Sequence, residues 1–294
     1  MVNFKSNSLT ALVPDWRRHL RAKNLSPSTI RSYLYVAEHF CSAANGASNL
    51  PAAIESYLGD VLDRSSASNA AKHYRSLQQF VRWLVDEGEL DSNPMARIHA
   101  PRVPERQVAI FTDAELIRLL SVCKGNAFTQ RRSAAILRVL MDTGCRAAEV
   151  TGLQLGDVDL DMGTITVLGK GRRVRAVPIS AKTAEAISRY LRQRNRHLHA
   201  ALPDLWLGSK GRLTTSGLGQ LLDRIGLRAN VMHCHAHRFR HTSAHQWLSA
   251  GGGERSLMRI MGWRSPAMLS RYGASAADER AKDEFRRLNL GNRI

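Results

Sequence analysis

The sequence predicts a mainly α protein with one small antiparallel β-sheet, divided into an N-terminal helical domain and a larger C-terminal domain. Apolar residues recur at helical spacing over most of the 294 positions. A proline-rich stretch around residue 100 separates two parts of the chain, and two short β-favouring runs flank a Gly-Lys-Gly turn in the second part. The length suits two domains that each bury their own core.

The N-terminal domain, residues 1–92, is predicted to contain four helices. Ser26-Pro27 provides an N-cap followed by proline at the first helical position, so a helix is expected to begin there. Each predicted helix carries an apolar face at a spacing of three and four residues. The predicted spans are Leu9–Arg21, 27–44, Leu50–Leu62 and 68–87.

Residues 93–109 are predicted to be an interdomain linker. Pro94, Pro101 and Pro104 favour an extended chain there, and the neighbouring arginines allow either a solvated spacer or contact with a phosphate backbone. The C-terminal domain, residues 110–294, opens with Thr112 and Glu115 at the spacing of a capping box.

The C-terminal domain is predicted to be helical around a single hairpin. Thr164–Leu168 and Val174–Ile179 are the β-favouring runs, with Lys170 at the tip between them. In the helix that follows the hairpin, Ile187, Leu191 and Leu198 are expected to face inward. The predicted helices are 113–123, 130–143, 181–200, 215–226, 237–250, 254–261, 266–271 and a tail helix at 276–288.

The charge of the chain indicates a polyanionic partner. Its 43 Lys and Arg residues against 25 Asp and Glu residues give a net charge of +18. Residues 1–104 hold 12 basic and 9 acidic side chains (+3), and residues 105–294 hold the remaining 31 and 16 (+15). Such an excess favours salt-sensitive binding to phosphates, although charge alone does not separate DNA from RNA or an anionic membrane.

A cytoplasmic location is expected, without membrane insertion. No apolar run approaches the roughly 18 residues that span a bilayer, and the first five residues lack the apolar stretch of a secretory signal. The four cysteines have no CxxC spacing, which favours reduced thiols.

Seven residues form a set that suits attack by a phenol on a phosphodiester. Arginine forks bind phosphate oxygens bidentately, His and Lys can move protons, and fixed cations can stabilise the charge of the transition state without a metal. The candidate catalytic residues are Arg146, Lys170, His237, Arg240, Trp263 and Tyr272, and Glu149 is expected to orient Arg146 from three positions further along the helix.

Simpler interpretations exist for parts of this set. Arg146 and Glu149 could be a structural ion pair, which is the more common outcome for such spacing. His233-Cys234-His235 suggests zinc, but structural zinc sites take ligand pairs from two separated elements and no second pair has suitable spacing. Five of the six tyrosines are predicted to be packing residues on helices: Tyr33, Tyr35, Tyr57, Tyr74 and Tyr190. Tyr272 differs because it follows a short helix and precedes Gly273.

In order and spacing these residues resemble the tyrosine recombinases, the phage-integrase family. Thr143–Leu153 is similar to the first box of the family, and Gly169-Lys170-Gly171 is similar to its β-hairpin lysine. His237-x-x-Arg240 resembles the second box, and Gly262-Trp263 with Tyr272 nine residues later resembles its end. The resemblance covers residues 110–275, and the N-terminal part matches the core-binding domain of the family in size and position.

The resemblance implies a role for each residue. Tyr272 would be the nucleophile that forms a 3′-phosphotyrosyl link and frees a 5′-hydroxyl. Arg146 and Arg240 would clamp the scissile phosphate. Lys170 would protonate the leaving oxygen, and His237 would assist proton transfer at the tyrosine. Most members carry His where this chain has Trp263, whose indole N–H can donate to a phosphate but cannot carry a proton.

The resemblance also implies a reaction and its partners. The protein would be a site-specific DNA recombinase that exchanges strands through a Holliday junction, with two domains closing around double-stranded DNA. Four strand exchanges imply a homotetramer on two synapsed sites. No cofactor and no metal are implied, the setting would be the DNA of a bacterial cell, and an accessory DNA-bending protein stays open.

Two other classes of protein remain compatible with these residues. A type IB topoisomerase would use similar chemistry on one duplex without synapsis. A catalytically inert DNA-binding regulator would share the basic surface and would have no need of Tyr272.

Overall fold

The chain divides into two compact units, Met1–Arg106 and Gln107–Ile294. The structure is a computed structural model that describes residues 9–45, 47–104, 109–169, 173–266, 268–269, 281–282 and 285–288. The mainly α fold with small antiparallel sheets is confirmed. None of the described helices combines the length and the apolar character of a membrane span.

The first unit is a bundle of the four predicted helices. They are α1 (Leu9–Ala22), α2 (Pro27–Ala43), α3 (Leu50–Arg64) and α4 (Ala67–Asp86). The predicted N-cap of α2 is confirmed, since the Ser26 hydroxyl accepts a hydrogen bond from the Thr29 backbone N–H at 3.2 Å. Trp16 lies at the centre of the bundle, 4.7 Å from the ring centroid of Phe80 and only 1% exposed. Burial of such large apolar side chains stabilises the bundle.

The start of the predicted linker packs on the first unit instead of extending into solvent. Met95 is buried in the core of this unit, and the Tyr74 hydroxyl donates to the Ile98 carbonyl at 2.8 Å. Residues 99–104 contain no helix or strand. The difference from the sequence prediction arises because Met95 and Ile98 are apolar, and their burial is more favourable than exposure on a solvated spacer.

Seven α-helices of the second unit have both of their ends described. The Thr112 capping box is confirmed, since the Thr112 hydroxyl and the Glu115 carboxylate each bond the other's backbone N–H. The helices are α5 (Asp113–Ser121), α6 (Phe128–Thr143), α7 (Ala147–Thr151), α8 (Ala181–Arg194), α9 (Thr215–Ala229), α10 (Ala236–Ser249) and α11 (Glu254–Met261). Helix α7 and a 3₁₀ turn at Leu155–Asp157 are too short to produce the periodic pattern from which helices are predicted.

A three-stranded antiparallel sheet covers one side of the helical core. Its strands are β1 (Val158–Asp159), β2 (Thr164–Gly169) and β3 (Arg173–Pro178), in the order β1-β2-β3. Strands β2 and β3 confirm the predicted hairpin, and their last described pair is Gly169 with Arg173. Ile165, Val167 and Val177 are fully buried. A separate two-residue hairpin, β4 (Leu207–Gly208) and β5 (Gly211–Arg212), was not predicted.

Helix α8 ends earlier than the sequence predicts, and the reason is a buried arginine. The predicted helix runs to Ala200, whereas α8 ends at Arg194 and Leu198 is 89% exposed, so its predicted inward position is wrong. The Arg194 guanidinium is buried and donates to the carbonyls of Ala200, Leu202, Asp204 and Leu205. The chain turns around this side chain because a buried guanidinium needs acceptors.

One further sequence prediction differs from the structure, and two predicted helices lie partly outside the described residues. Tyr35 is 53% exposed and is not the packing residue that was predicted. The predicted helix at 266–271 is described only at residues 266, 268 and 269, and the predicted tail helix only at 281–282 and 285–288, where the chain is helical.

Replacement of the buried arginine should destabilise the second unit. Arg194→Met leaves four carbonyls without their donor, at a cost of about 1–3 kcal/mol for each acceptor that stays buried. We expect a loss of at least about 3 kcal/mol in the free energy of unfolding, measured as a lower denaturant midpoint for this unit. Arg192→Met, on the exposed side of α8, is the matched control and should change stability by less than about 0.5 kcal/mol. Equal midpoints for the two variants would contradict the role of Arg194.

Candidate active site

Arg146 is placed by the turn that ends α6. Gly144 caps this helix with φ of 54°, a left-handed conformation that favours glycine. A side chain at position 144 would also lie 2.7 Å from the Met261 methyl carbon. The chain therefore turns at Gly144, and Arg146 becomes the N-cap residue of α7 with a side chain that is 42% exposed. Its guanidinium is accessible to a substrate.

Glu149 contacts both the side chain and the backbone of Arg146. Arg146 Nη1 lies 3.0 Å from Glu149 Oε1, and the Arg146 backbone N–H donates to Glu149 Oε2 at 2.9 Å. The Glu149 side chain is only 4% exposed. Burial alone would raise the pKa of this carboxyl, but hydrogen bonds from Arg175 and from the Arg146 backbone, with the charges of both guanidiniums, hold the pKa below its usual value. The carboxylate is therefore charged at neutral pH.

Arg175 completes the surroundings of this carboxylate, and the sequence analysis did not select it. Its Nη1 and Nη2 lie 3.1 and 2.9 Å from the two oxygens of Glu149. Its Nε donates to the Ile260 carbonyl at 2.8 Å. The missed signal is strand alternation: position 175 shares a face of β3 with the buried Val177, and an arginine facing a core needs an acidic or carbonyl partner.

Arg240 joins the ends of two helices. Its Nη1 donates to the Gly144 carbonyl at 2.7 Å, and its Nη2 donates to the Met261 carbonyl at 2.7 Å. These are the C-terminal ends of α6 and α11, where carbonyls lack helical partners and the helix dipole is negative. The residue is 1% exposed. The Gly144 carbonyl lies two residues before Arg146, so Arg240 contacts the turn that leads to Arg146.

Trp263 packs beside Arg240. Gly262 ends α11 in a left-handed conformation with φ of 65°, and Trp263 follows it with 7% exposure. The centre of the Arg240 guanidinium lies 5.4 Å from the Trp263 ring centroid, within range of a cation–π interaction. Leu248, with three other apolar residues, completes a small cluster around the indole. Trp263 therefore supports Arg240 by packing.

His237 lies in the first turn of α10 and contacts a second histidine. The Nε2 atoms of His237 and His241 are 3.1 Å apart, with the ring planes at 85° to each other. His237 is exposed and His241 is buried. In such a contact one ring donates and the other accepts, so one proton lies between them. His241 was missed, although spacing of four residues on a helix indicates contact.

Lys170 and Tyr272 both lie outside the described residues. The structure brings together Arg146, Glu149 and Arg240 with Trp263, and His237 is one helical turn from Arg240.

Metal ligation was the alternative for the histidine-rich segment. Within the described part of the chain, no group of three or more His, Cys, Asp or Glu side chains is arranged to hold a metal ion. All four cysteines are buried and free, which agrees with reduced thiols. Burial raises the pKa of the Cys234 thiol to about 12, so it is protonated at neutral pH and is a poor metal ligand in this state.

Sequence comparison relates the chain to a known family. Residues 110–279 match the model of the phage integrase family. Tyrosine recombinase XerC of Oceanobacillus iheyensis is 30% identical over 280 residues, which cover 90% of this chain and 92% of that protein. Tyrosine recombinase XerC of Myxococcus xanthus is 29% identical over 281 residues, covering 90% and 93% respectively.

Solved structures share the fold. The Tn1549 transposon integrase in complex with a circular intermediate DNA aligns with a TM-score of 0.79 at 20% identity, covering 96% of this chain and 100% of that one. A lambda integrase dimer bound to a COC′ core site aligns with a TM-score of 0.70 at 16% identity, covering 89% and 97%. The chain belongs to the phage integrase family and is a tyrosine recombinase. The resemblance inferred from the motifs is thereby confirmed.

The charge of Glu149 should make stability depend on pH in a specific way. Because the pKa of Glu149 is lower in the folded state, its charged form stabilises the fold. This contribution is complete at pH values above the ordinary pKa of 4.5 and is lost as pH falls through the folded-state pKa. The difference in unfolding free energy between the wild type and Glu149→Gln should therefore be constant from pH 7 to about 5 and shrink at lower pH. Urea unfolding at several pH values measures it.

Glu185→Gln is the matched control for this experiment. The Glu185 carboxylate pairs with Arg189 on the surface, with a side chain that is 57% exposed. Exposed pairs contribute about 0–1 kcal/mol, so this variant should show little difference from the wild type at any pH. If the difference in unfolding free energy between the wild type and Glu149→Gln grew as pH fell, the fold would stabilise the protonated carboxyl of Glu149, which would contradict the prediction.

Proposed function

We propose that this protein is a site-specific recombinase that cleaves and rejoins double-stranded DNA through Tyr272. The observation that carries the proposal is the Arg146–Glu149 pair just after α6, with Arg240 bound both to the Gly144 carbonyl of that turn and to the end of α11. Family membership supports the identity of the nucleophile, and the clustered guanidiniums supply the positive charge that a phosphoryl-transfer transition state requires.

Each strand cleavage exchanges one phosphoester bond for another. The Tyr272 oxygen attacks phosphorus, the bond from phosphorus to the 5′ oxygen breaks, and a 3′-phosphotyrosyl link forms. His237 assists removal of the phenolic proton, and Lys170 donates a proton to the leaving 5′ oxygen. Rejoining reverses these steps with the 5′-hydroxyl of a partner duplex, so strand exchange passes through a Holliday junction without ATP.

Arg146 and Arg240 bind the non-bridging oxygens of the scissile phosphate in this scheme. Arg146 has an exposed guanidinium that Glu149 holds in one orientation, which suits direct contact with the phosphate. Arg240 contributes positive charge from a buried position and locates the end of α11. Trp263 positions Arg240 and does not act as an acid or base.

Duplex DNA is the proposed substrate. The net charge of +15 over residues 105–294 favours phosphate contacts. The Tn1549 integrase and lambda integrase structures, which share the fold, contain DNA.

We assign residues 1–92 as a core-binding DNA-binding domain, 93–109 as the connection and 110–294 as the catalytic domain. Four protomers on two synapsed sites, acting in the bacterial cytoplasm with or without a DNA-bending protein, complete the proposal.

The nucleophile is tested by removal of one oxygen atom. Tyr272→Phe should bind its site DNA with unchanged affinity and form no covalent complex with DNA nicked near the exchange point, because the attacking oxygen is gone. Denaturing gels with labelled DNA measure the complex. Tyr35→Phe, an exposed phenol in the first unit, should form the complex as the wild type does. A covalent complex with Tyr272→Phe would overturn the assignment, and DNA relaxation without strand exchange would indicate a topoisomerase.

Independence from metals is tested separately. Wild-type protein treated with EDTA should cleave nicked site DNA at an unchanged rate, because guanidinium groups stabilise the phosphate charge in place of a metal. The rate of covalent complex formation is measured before and after chelation. Loss of cleavage that added Mg²⁺ restores would contradict a scheme that uses side chains alone.

A further inference from the structure

The last turn of α11 is held by two arginines from other elements. Arg175 on β3 binds the Ile260 carbonyl, and Arg240 on α10 binds the next carbonyl, that of Met261. This turn leads through Gly262 into the chain that carries Tyr272, ten positions further on. We propose that Arg175 is a positioning residue that links the phosphate-binding Arg146 to the chain leading to the nucleophile. The inference rests on the proposed function of Tyr272.

One side of the Arg175 guanidinium faces Glu149. Its two terminal nitrogens meet the two carboxylate oxygens at 3.1 and 2.9 Å, which is a bidentate pair with a fixed plane. The same carboxylate binds the Arg146 guanidinium and its backbone N–H. The orientation of Arg146 therefore depends on where Arg175 holds Glu149.

The other side of the guanidinium faces α11. The Nε atom of Arg175 donates to the Ile260 carbonyl at 2.8 Å, and the side chain of Arg175 is only 14% exposed. Gly262 allows this approach: a side chain at position 262 would lie 3.2–3.4 Å from the guanidinium atoms. The absence of a side chain at Gly262 and the placement of Arg175 are thus parts of one arrangement.

Only arginine has the geometry for this link. Its planar fork presents N–H groups in fixed directions, so one group can bind both oxygens of Glu149 and a carbonyl on another element. A lysine keeps the charge as a single point and cannot hold the carboxylate plane and the Ile260 carbonyl together. We therefore expect Arg175→Lys to retain the fold and to lose part of the positioning.

Arg175 acts on the attack at phosphorus and not on the leaving group. Its partners belong to the phosphate clamp and to the chain before Tyr272, whereas leaving-group protonation is assigned to Lys170. The hydrogen bonds of Arg175 go to Glu149, to the Cys145 sulfur and to the Ile260 carbonyl, on the side of the phosphate clamp and α11. A substrate that needs no general acid separates these two modes of action.

The test uses single-turnover cleavage of nicked site DNA at saturating protein. One substrate has the natural 5′ oxygen as leaving atom, and the other has sulfur there, since a thiolate leaves without protonation. Arg175→Gln should slow cleavage of the oxygen substrate by up to about 100-fold, the loss that a misplacement of about 1 Å can cause, with DNA affinity within about threefold of the wild type. The sulfur substrate should not restore its rate.

Lys170→Ala is the control for leaving-group chemistry, and its cleavage should recover on the sulfur substrate. Arg192→Gln removes one charge from the exposed face of α8 and should cleave both substrates at the wild-type rate. Full recovery of Arg175→Gln on the sulfur substrate would mean that Arg175 acts through Lys170, and the inference would fail. It would also fail if Arg175→Gln cleaved the oxygen substrate normally.

If the thermal transition of Arg175→Gln shows that this variant does not fold, Arg175→Lys replaces it in the test. The lysine variant should show the same pattern with a smaller loss of rate, and a normal rate would overturn the inference. Failure of the proposed function has a different signature: the wild-type protein would form no covalent complex with either substrate. If the wild type and the Arg175 variant cleave equally well, only the positioning role of Arg175 is overturned and the proposed function stands.

Discussion

Helix ends that lack hydrogen-bond partners determine how the candidate active site of this recombinase is assembled. The carbonyls at the ends of α6 and α11 have no N–H donor within their own helices. Leaving them buried and unpaired would cost free energy. Buried guanidiniums satisfy them: Arg240 binds Gly144 and Met261, and Arg175 binds Ile260. Both segments that carry proposed catalytic residues, the turn to Arg146 and the chain toward Tyr272, start from these helix ends.

The electrostatic balance of the site follows from the same contacts. A single buried carboxylate, Glu149, lies between Arg146 and Arg175, so the group keeps a net positive charge that a phosphate can neutralise. Arg146, Arg175 and Arg240 differ in how far their side chains are exposed to solvent. Arg146 is the most exposed of the three and Arg240 the least, so Arg146 offers the most accessible guanidinium and Arg240 adds positive charge from a buried position.

Neighbouring arginines on α10 illustrate why residue type alone does not define a site. Arg238 lies two positions before Arg240, but its guanidinium pairs with Glu115 and lies 3.9 Å from the Phe111 ring centroid. That arrangement ties α10 to the segment before α5 and stabilises the fold. Arg240, on another face of the helix, reaches the ends of α6 and α11. The direction in which each side chain leaves the helix separates a structural arginine from one at the site.

The sequence by itself determined the local features of this protein. Caps such as Ser26 and Thr112, the glycine that ends α6, the two strands of the hairpin and the Arg146–Glu149 pair all depend on residues within a few positions of one another. The order of the motifs was sufficient to indicate the family. Only the tertiary structure decided that Arg175 reaches Glu149, that Arg240 lies on two helix ends and that Arg194 stops α8. Those contacts join residues that are distant in the chain or depend on a loop path, and hydrogen bonding to buried carbonyls leaves no periodic pattern in a sequence from which to predict it.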